Sequence, residues 1–186
     1  LTGENLVYAD QIKLSGMQNK IRATINNVYL DNVQLDDDAD EIEVDGLRWE
    51  NADVLLRAIP AGKQKNNNNE TSIIIQHFSG NNTRLRIASG SSSISTFISS
   101  LTASSLIKNG NNPIQVNAFT MEGKDFLFTN PQMNLSAAAY DLSDEKLSSL
   151  TAVRLAHIKG RDSLTVSSSY IQLQTNLNDL ISNNLN

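Results

Sequence analysis

Residues 9–56 read ADQIKLSGMQNKIRATINNVYLDNVQLDDDADEIEVDGLRWENADVLL, and their alternation decides the fold class. Ile12-Lys13-Leu14, Ile21-Arg22-Ala23-Thr24-Ile25, Val28-Tyr29-Leu30 and Val33-Gln34-Leu35 alternate apolar with polar residues. Ile42-Glu43-Val44, Leu47-Arg48-Trp49 and Ala52-Asp53-Val54 continue the pattern. Period two places successive side chains on opposite faces of a strand, so each segment predicts a strand with one apolar and one wet face. Asn26-Asn27 and Asp31-Asn32 each displace the alternation by one residue, as a β-bulge that curves the sheet would.

Outward from this block, a short pattern recurs: an apolar residue, any residue, Gly, a polar turn, then renewed alternation. It begins at Leu14-Ser15-Gly16, Val44-Asp45-Gly46, Phe78-Ser79-Gly80, Met121-Glu122-Gly123 and Ile158-Lys159-Gly160. Strands that stop at Gly and resume after polar residues predict hairpins laid side by side. Two departures are expected. Ile94, Phe97, Ile98 and Leu101 fall at helical spacing, predicting a short helix near 94–107, closed by Asn109-Gly110, with a pair of strands as the alternative because Ser and Thr are so frequent there. Ser143-Asp144-Glu145-Lys146 begins like a helix cap and predicts a single turn or tight loop. The Asn- and Leu-rich tail from Thr175 reads as a frayed helix. The expectation is one continuous domain: a first β block over 1–59, an Asn-rich exposed loop over 60–70, and a second β block over 71–186.

Composition narrows the function classes. The chain has 186 residues, a net charge of -5, 19% charged and 5% aromatic residues, and no cysteine. That balance points away from nucleic acid, and stacking platforms for bases are sparse. Without cysteine there is no disulfide framework or thiolate metal site. No run of about 20 apolar residues exists to span a bilayer as a helix. The start at Leu1-Thr2-Gly3 reads as a processed boundary that could have lost an upstream membrane anchor.

No catalytic constellation emerges. Asp36, Asp38 and Asp40 alternate as at the start of a calcium loop, but Glu41 stands where that loop needs Gly and Leu47 where it needs Glu. A solvated hairpin tip is the simpler reading. His77 and His157 each precede a Gly turn, lack metal-ligand spacing, and read as solvent-side strand residues. No Gly-x-Ser-x-Gly elbow occurs. The expectation is therefore a non-enzyme without metal or cofactor. Trp49, alternating with Leu47, reads as a core anchor.

Residues 9–56 and the stretch 114–164, IQVNAFTMEGKDFLFTNPQMNLSAAAYDLSDEKLSSLTAVRLAHIKGRDSL, together resemble the AsmA/TamB-like superfamily of Gram-negative envelope proteins in their run of short strands punctuated by Gly turns. The Asn-rich composition would suit a Bacteroidetes-type relative. The resemblance implies an elongated, curved antiparallel sheet, taco- or jellyroll-like, in the periplasm or cell envelope. Its apolar groove would shelter or conduct phospholipid, with other envelope proteins as partners. The groove candidates are then Ile21, Ile25, Val44, Trp49, Val54, Ile75, Ile87, Phe126, Phe128 and Leu135. The same residues could instead form the closed core of a β-sandwich. The alternative function, of a different class, is a periplasmic or cell-surface adhesin-like module binding protein or glycan.

Overall fold

The computed structural model describes residues 6–16, 21–36, 41–57, 72–109, 114–144, 146–159 and 162–173. These residues form an all-β fold in one open sheet of ten strands, with no helix among them. The strands are β1 (Leu6–Gly16), β2 (Ile21–Asp36), β3 (Glu41–Arg57), β4 (Ser72–Ser89), β5 (Ser92–Asn109), β6 (Gln115–Asn117), β7 (Thr120–Thr129), β8 (Met133–Ser143), β9 (Ser148–Lys159) and β10 (Asp162–Leu173). They lie in the order β1-β2-β3-β4-β5-β7-β8-β9-β10, with β6 collinear with β7 against β5. All pairs are antiparallel except β3–β4, which runs parallel from Glu41↔Ser72 to Arg57↔Ala88. That parallel ladder joins the two blocks separated by the Asn-rich segment into one continuous sheet.

The strands are longer than the Gly pattern predicts. Gly16 does fall at a strand end and Gly160 lies outside the described residues, but Gly46, Gly80 and Gly123 lie inside β3, β4 and β7. Each of these three is buried. A Cβ on Gly80 would run into the Trp49 ring, and one on Gly123 into the Tyr140 ring and the Phe97 carbonyl. Mid-strand glycine here marks close approach by a cross-strand aromatic ring, which is its other established use in sheets.

What resembles turns is a set of left-handed residues inside the strands. Asn27, Asn32, Asn51, His77, Asn82, Ala118, Asp125 and Ala152 have φ between 44° and 58°. Asn and Asp tolerate this conformation best because their short polar side chains bond locally. The ladder between β2 and β3 shifts register around Asn26–Asn27, where a bulge is expected, whereas at Asn32 the chain turns left-handed without a shift of register. The left-handed residues line up across the sheet as two creases. Asn51 lies opposite Asn82, and Ala138 separates Asp125 from Ala152. In the second crease, His77 sits level with Gly46 on one side and, across Ser104, with Ala118 on the other. A left-handed residue rotates the strand locally, so aligned ones bend the sheet as a unit.

The helix expected near 94–107 is not formed: those residues belong to β5. The ladder between β5 and β7 shifts register between Ile98 and Ser100. A bulge inserts one extra residue, so Ile98 and Leu101 face the same way three residues apart. That step reproduces helical spacing inside a strand. Phe97, the remaining member of the apparent helical face, points to the other side of the sheet, under the Lys124 ammonium. The Ser143–Lys146 segment is a tight connection rather than a helix. Ser148 Oγ donates to the Ser143 carbonyl at 3.2 Å, and the Ser143 N–H donates to Ser148 Oγ at 3.0 Å. Both serines are 1% exposed. The Asn-rich segment 60–70, the acidic tip at 37–40 and the tail from Thr175 lie outside the described residues.

Candidate functional site

Cross-strand partners share a face of the sheet, so the register defines the surface. One row runs Ile21, Leu56, Ile87, Ile94, Phe128, Leu135, Leu155, Val166, eight apolar residues on successive strands. A second runs Ile12, Ile25, Ala52, Thr83, Ile98, Gly123, Tyr140, Leu150, Ile171. At the other end of the strands lies Val33, Val44, Ile75, Leu106, Val116. Between these rows, Val54 pairs with Leu85 and Phe126 with Ala137.

The creases do not interrupt this face. Phe78, Ala103 and Phe119 form a buried cluster bordered by Leu47, Trp49, Ile75, Leu101, Leu106, Val116, Met121 and Leu142, which spans one crease. The Trp49 indole N–H donates to Thr83 Oγ1 at 2.9 Å across the other, and Trp49 stacks on Phe78 with ring centroids 6.4 Å apart. Thr96 donates to the Tyr140 hydroxyl at 2.9 Å, while Phe126 meets the Tyr140 ring edge-on. Burial raises the Tyr140 pKa, partly offset by the Thr96 hydrogen bond.

All ten residues singled out from the sequence therefore lie on one face. Val44 is buried, and Ile21, Ile25, Trp49, Val54, Ile75, Ile87, Phe126, Phe128 and Leu135 are half-buried. Among the described strands the close backbone contacts run between sheet neighbours, so lateral packing contributes to this partial burial. Exposure rises toward both margins, where Leu14 on β1 is 50% and Val166 on β10 is 55% exposed. The described strands thus present one apolar face, tightly packed at its centre and more exposed at both margins.

Sequence reading overlooked several residues of this packed centre. Ile98 (4% exposed) was obscured by its apparent helical spacing, and Phe78 by Gly80, which read as a turn. Tyr140 carried no local signal, because its partner Gly123 lies across the strand, as Gly80 does for Trp49.

The remaining candidates are dispersed. His77 and His157 are exposed, and His77 lines an open cleft with Asp31, Asp45 and Arg48. Among the described residues, no group of three His, Asp or Glu side chains is placed to hold a metal ion. The described residues also include no helix long and apolar enough to cross a membrane. On β1, the Tyr8 hydroxyl donates to Asp10, whose carboxylate pushes the Tyr8 pKa up to about 12. The chain matches no known family model and no curated protein.

Proposed function

We propose that this chain is a non-catalytic, lipid-sheltering segment of a bacterial envelope protein, of the kind its AsmA/TamB-like resemblance implies. The observation that carries the reading is the continuous apolar face: rows of Ile, Leu, Val and Phe extend from strand to strand on one side of the sheet, and in this reading they line a lipid trough. Burying a methylene is worth about 0.8 kcal/mol. An acyl chain of about sixteen carbons, half covered, would gain roughly 6 kcal/mol before its ordering entropy is subtracted. The trough provides this by shape and apolarity, with no reaction. In this reading the protein sits in the periplasm or envelope, held by a region outside this sequence, and phospholipid is its ligand.

A second reading, attachment to a protein or glycan, is favoured by the margins. Leu164, Val166 and Tyr170 of β10 are each more than half exposed on a strand that ends the sheet among the described residues. Such an edge accepts an added strand.

Native mass spectrometry of the chain, expressed in a Gram-negative periplasm and purified without detergent, separates the two. Phe128 lines the trough, whereas its neighbour Leu127 points to the other face and is 41% exposed. Phospholipid adducts should survive Leu127→Asp and disappear in Phe128→Asp. A mass that stays lipid-free with added phospholipid rejects the trough reading in favour of the edge.

A further inference from the structure

The outer face of the sheet, opposite the apolar face, is electrically divided along the strand axis. Beyond the Asn51–Asn82 crease, one outer row pairs Lys13, Thr24, Asp53, Arg84, Phe97 and Lys124. The next contains Arg22, Arg86 and Arg154, with Leu127 among them, and the row after that ends in Arg57. All these cations are exposed. Asp53 is the one carboxylate in these rows, and it is already held by Arg86 at 2.7 Å. Arg84, Arg86 and Lys124 also line an open cleft of about 500 Å³, whose far wall carries Asp125.

On the other side of the crease the sign reverses. Glu50, Glu122 and Asp141 lie along one outer row, Glu43 and the Asp36–Glu41 pair lie farther along, and Asp31 and Asp45 lie between. Arg48 is the cation there, 3.8 Å from Asp31. A net charge of -5 therefore conceals a basic end and a more strongly acidic one.

We infer that the basic end docks this protein on an anionic lipid surface, with the strands standing away from it and the acidic end pointing outward. Three features select a membrane over a soluble polyanion. The cations extend from β1 to β9, seven strand spacings of about 4.8 Å, or roughly 34 Å, which is a broad band rather than a pocket. On the cationic face itself Leu127 (41% exposed) lies among the cations. Cations mixed with exposed apolar side chains suit a headgroup region, where both find partners. Finally, the acidic end would be repelled by the same surface, which fixes one orientation. The inference is independent of lipid uptake by the trough: docking is read on vesicles and uptake by mass.

The test is sedimentation of the full chain with vesicles of phosphatidylcholine, alone or with about 30% phosphatidylglycerol. We expect binding only to the anionic vesicles, weakening steeply between about 0.05 and 0.5 M salt as the charges are screened. Each cation near such a surface contributes about a fivefold factor in affinity. Joint Arg22→Glu, Arg84→Glu and Arg154→Glu substitution should therefore lower it by at least about tenfold, and the matching Gln set by less. Glu43→Lys and Glu122→Lys at the other end should not weaken it. These sites are exposed, so an unchanged far-ultraviolet circular dichroism spectrum excludes misfolding as the cause. Equal binding to neutral vesicles, full binding by the triple variant, or no binding at low salt would each overturn the inference. So would binding to heparin or RNA without binding to vesicles.

Discussion

The floor (the centre of the apolar face) and its margins are built from the same alternating strands, yet only the floor is tightly packed. Around β3, β4, β5 and β7, glycines let aromatic rings lie flat on neighbouring backbone: Trp49 over Gly80 and Tyr140 over Gly123. Phe78, Ala103 and Phe119 are each below 8% exposed in that region. At β1 and β10 the rows continue with the same residue types, but Leu14, Leu164 and Val166 are half exposed or more. Alternation alone therefore builds the layer, while lateral contacts from both sides, and the Gly–aromatic pairs, make part of it a core. A margin strand has one neighbour, so its apolar side chains keep half their contact with water.

The comparison can be broken at the floor first. Gly80→Val should cost about 3 kcal/mol, because the Trp49 ring has nowhere to go without losing Phe78 and Thr83. Urea unfolding would show this as a lower midpoint at similar slope. A loss under about 1 kcal/mol would mean that the ring is not seated on the glycine.

Tyr140→Phe tests the same floor more gently. It removes the oxygen that accepts the Thr96 hydroxyl, though Thr96 keeps the Lys124 carbonyl at 3.2 Å, and should cost about 1 kcal/mol. Its pH dependence sharpens the point. Burial raises the native Tyr140 pKa, so between the unfolded value near 10 and the higher native one the folded state holds more protons. Wild-type stability should fall as pH rises through that window, and the Phe variant should fall less. Parallel curves would place Tyr140 in water.

At the margin, Val166→Ser should change stability by about 0.5 kcal/mol or less, since the side chain is already 55% exposed. A loss comparable with the Gly80→Val effect would show that β10 is covered in solution and that the margin is no margin.

Much of this organisation was legible in the residues, and the errors share one cause. Period-two alternation identified the strands from Ile12 onward, and the phase slips at Asn27 and Asn32 marked left-handed residues, the first of them at a shift of register. The three-residue steps from Val44 to Leu47, Trp49 to Ala52, Ile75 to Phe78 and Ile98 to Leu101 were harder. A step of three can be a turn between two strands, a helical spacing, or a bulge within one strand. Gly46 and Gly80 tilted the reading to turns, and Phe97 tilted it to a helix. Only the partner strand distinguishes these cases, because only a continuing ladder keeps both sides of the step in one element.

The amino-acid sequence by itself determined that the chain is all-β with one apolar face, because side-chain direction in a strand is local and repeats every two residues. It likewise determined which ten side chains could share that face. The tertiary structure decided what no local pattern carries: the parallel β3–β4 ladder, the alignment of the creases, the Gly–aromatic pairs and the division of charge across the outer face. Each depends on which residues come opposite one another across strands. That register is set by long-range backbone hydrogen bonds and lateral packing, between residues that lie tens of positions apart in the chain.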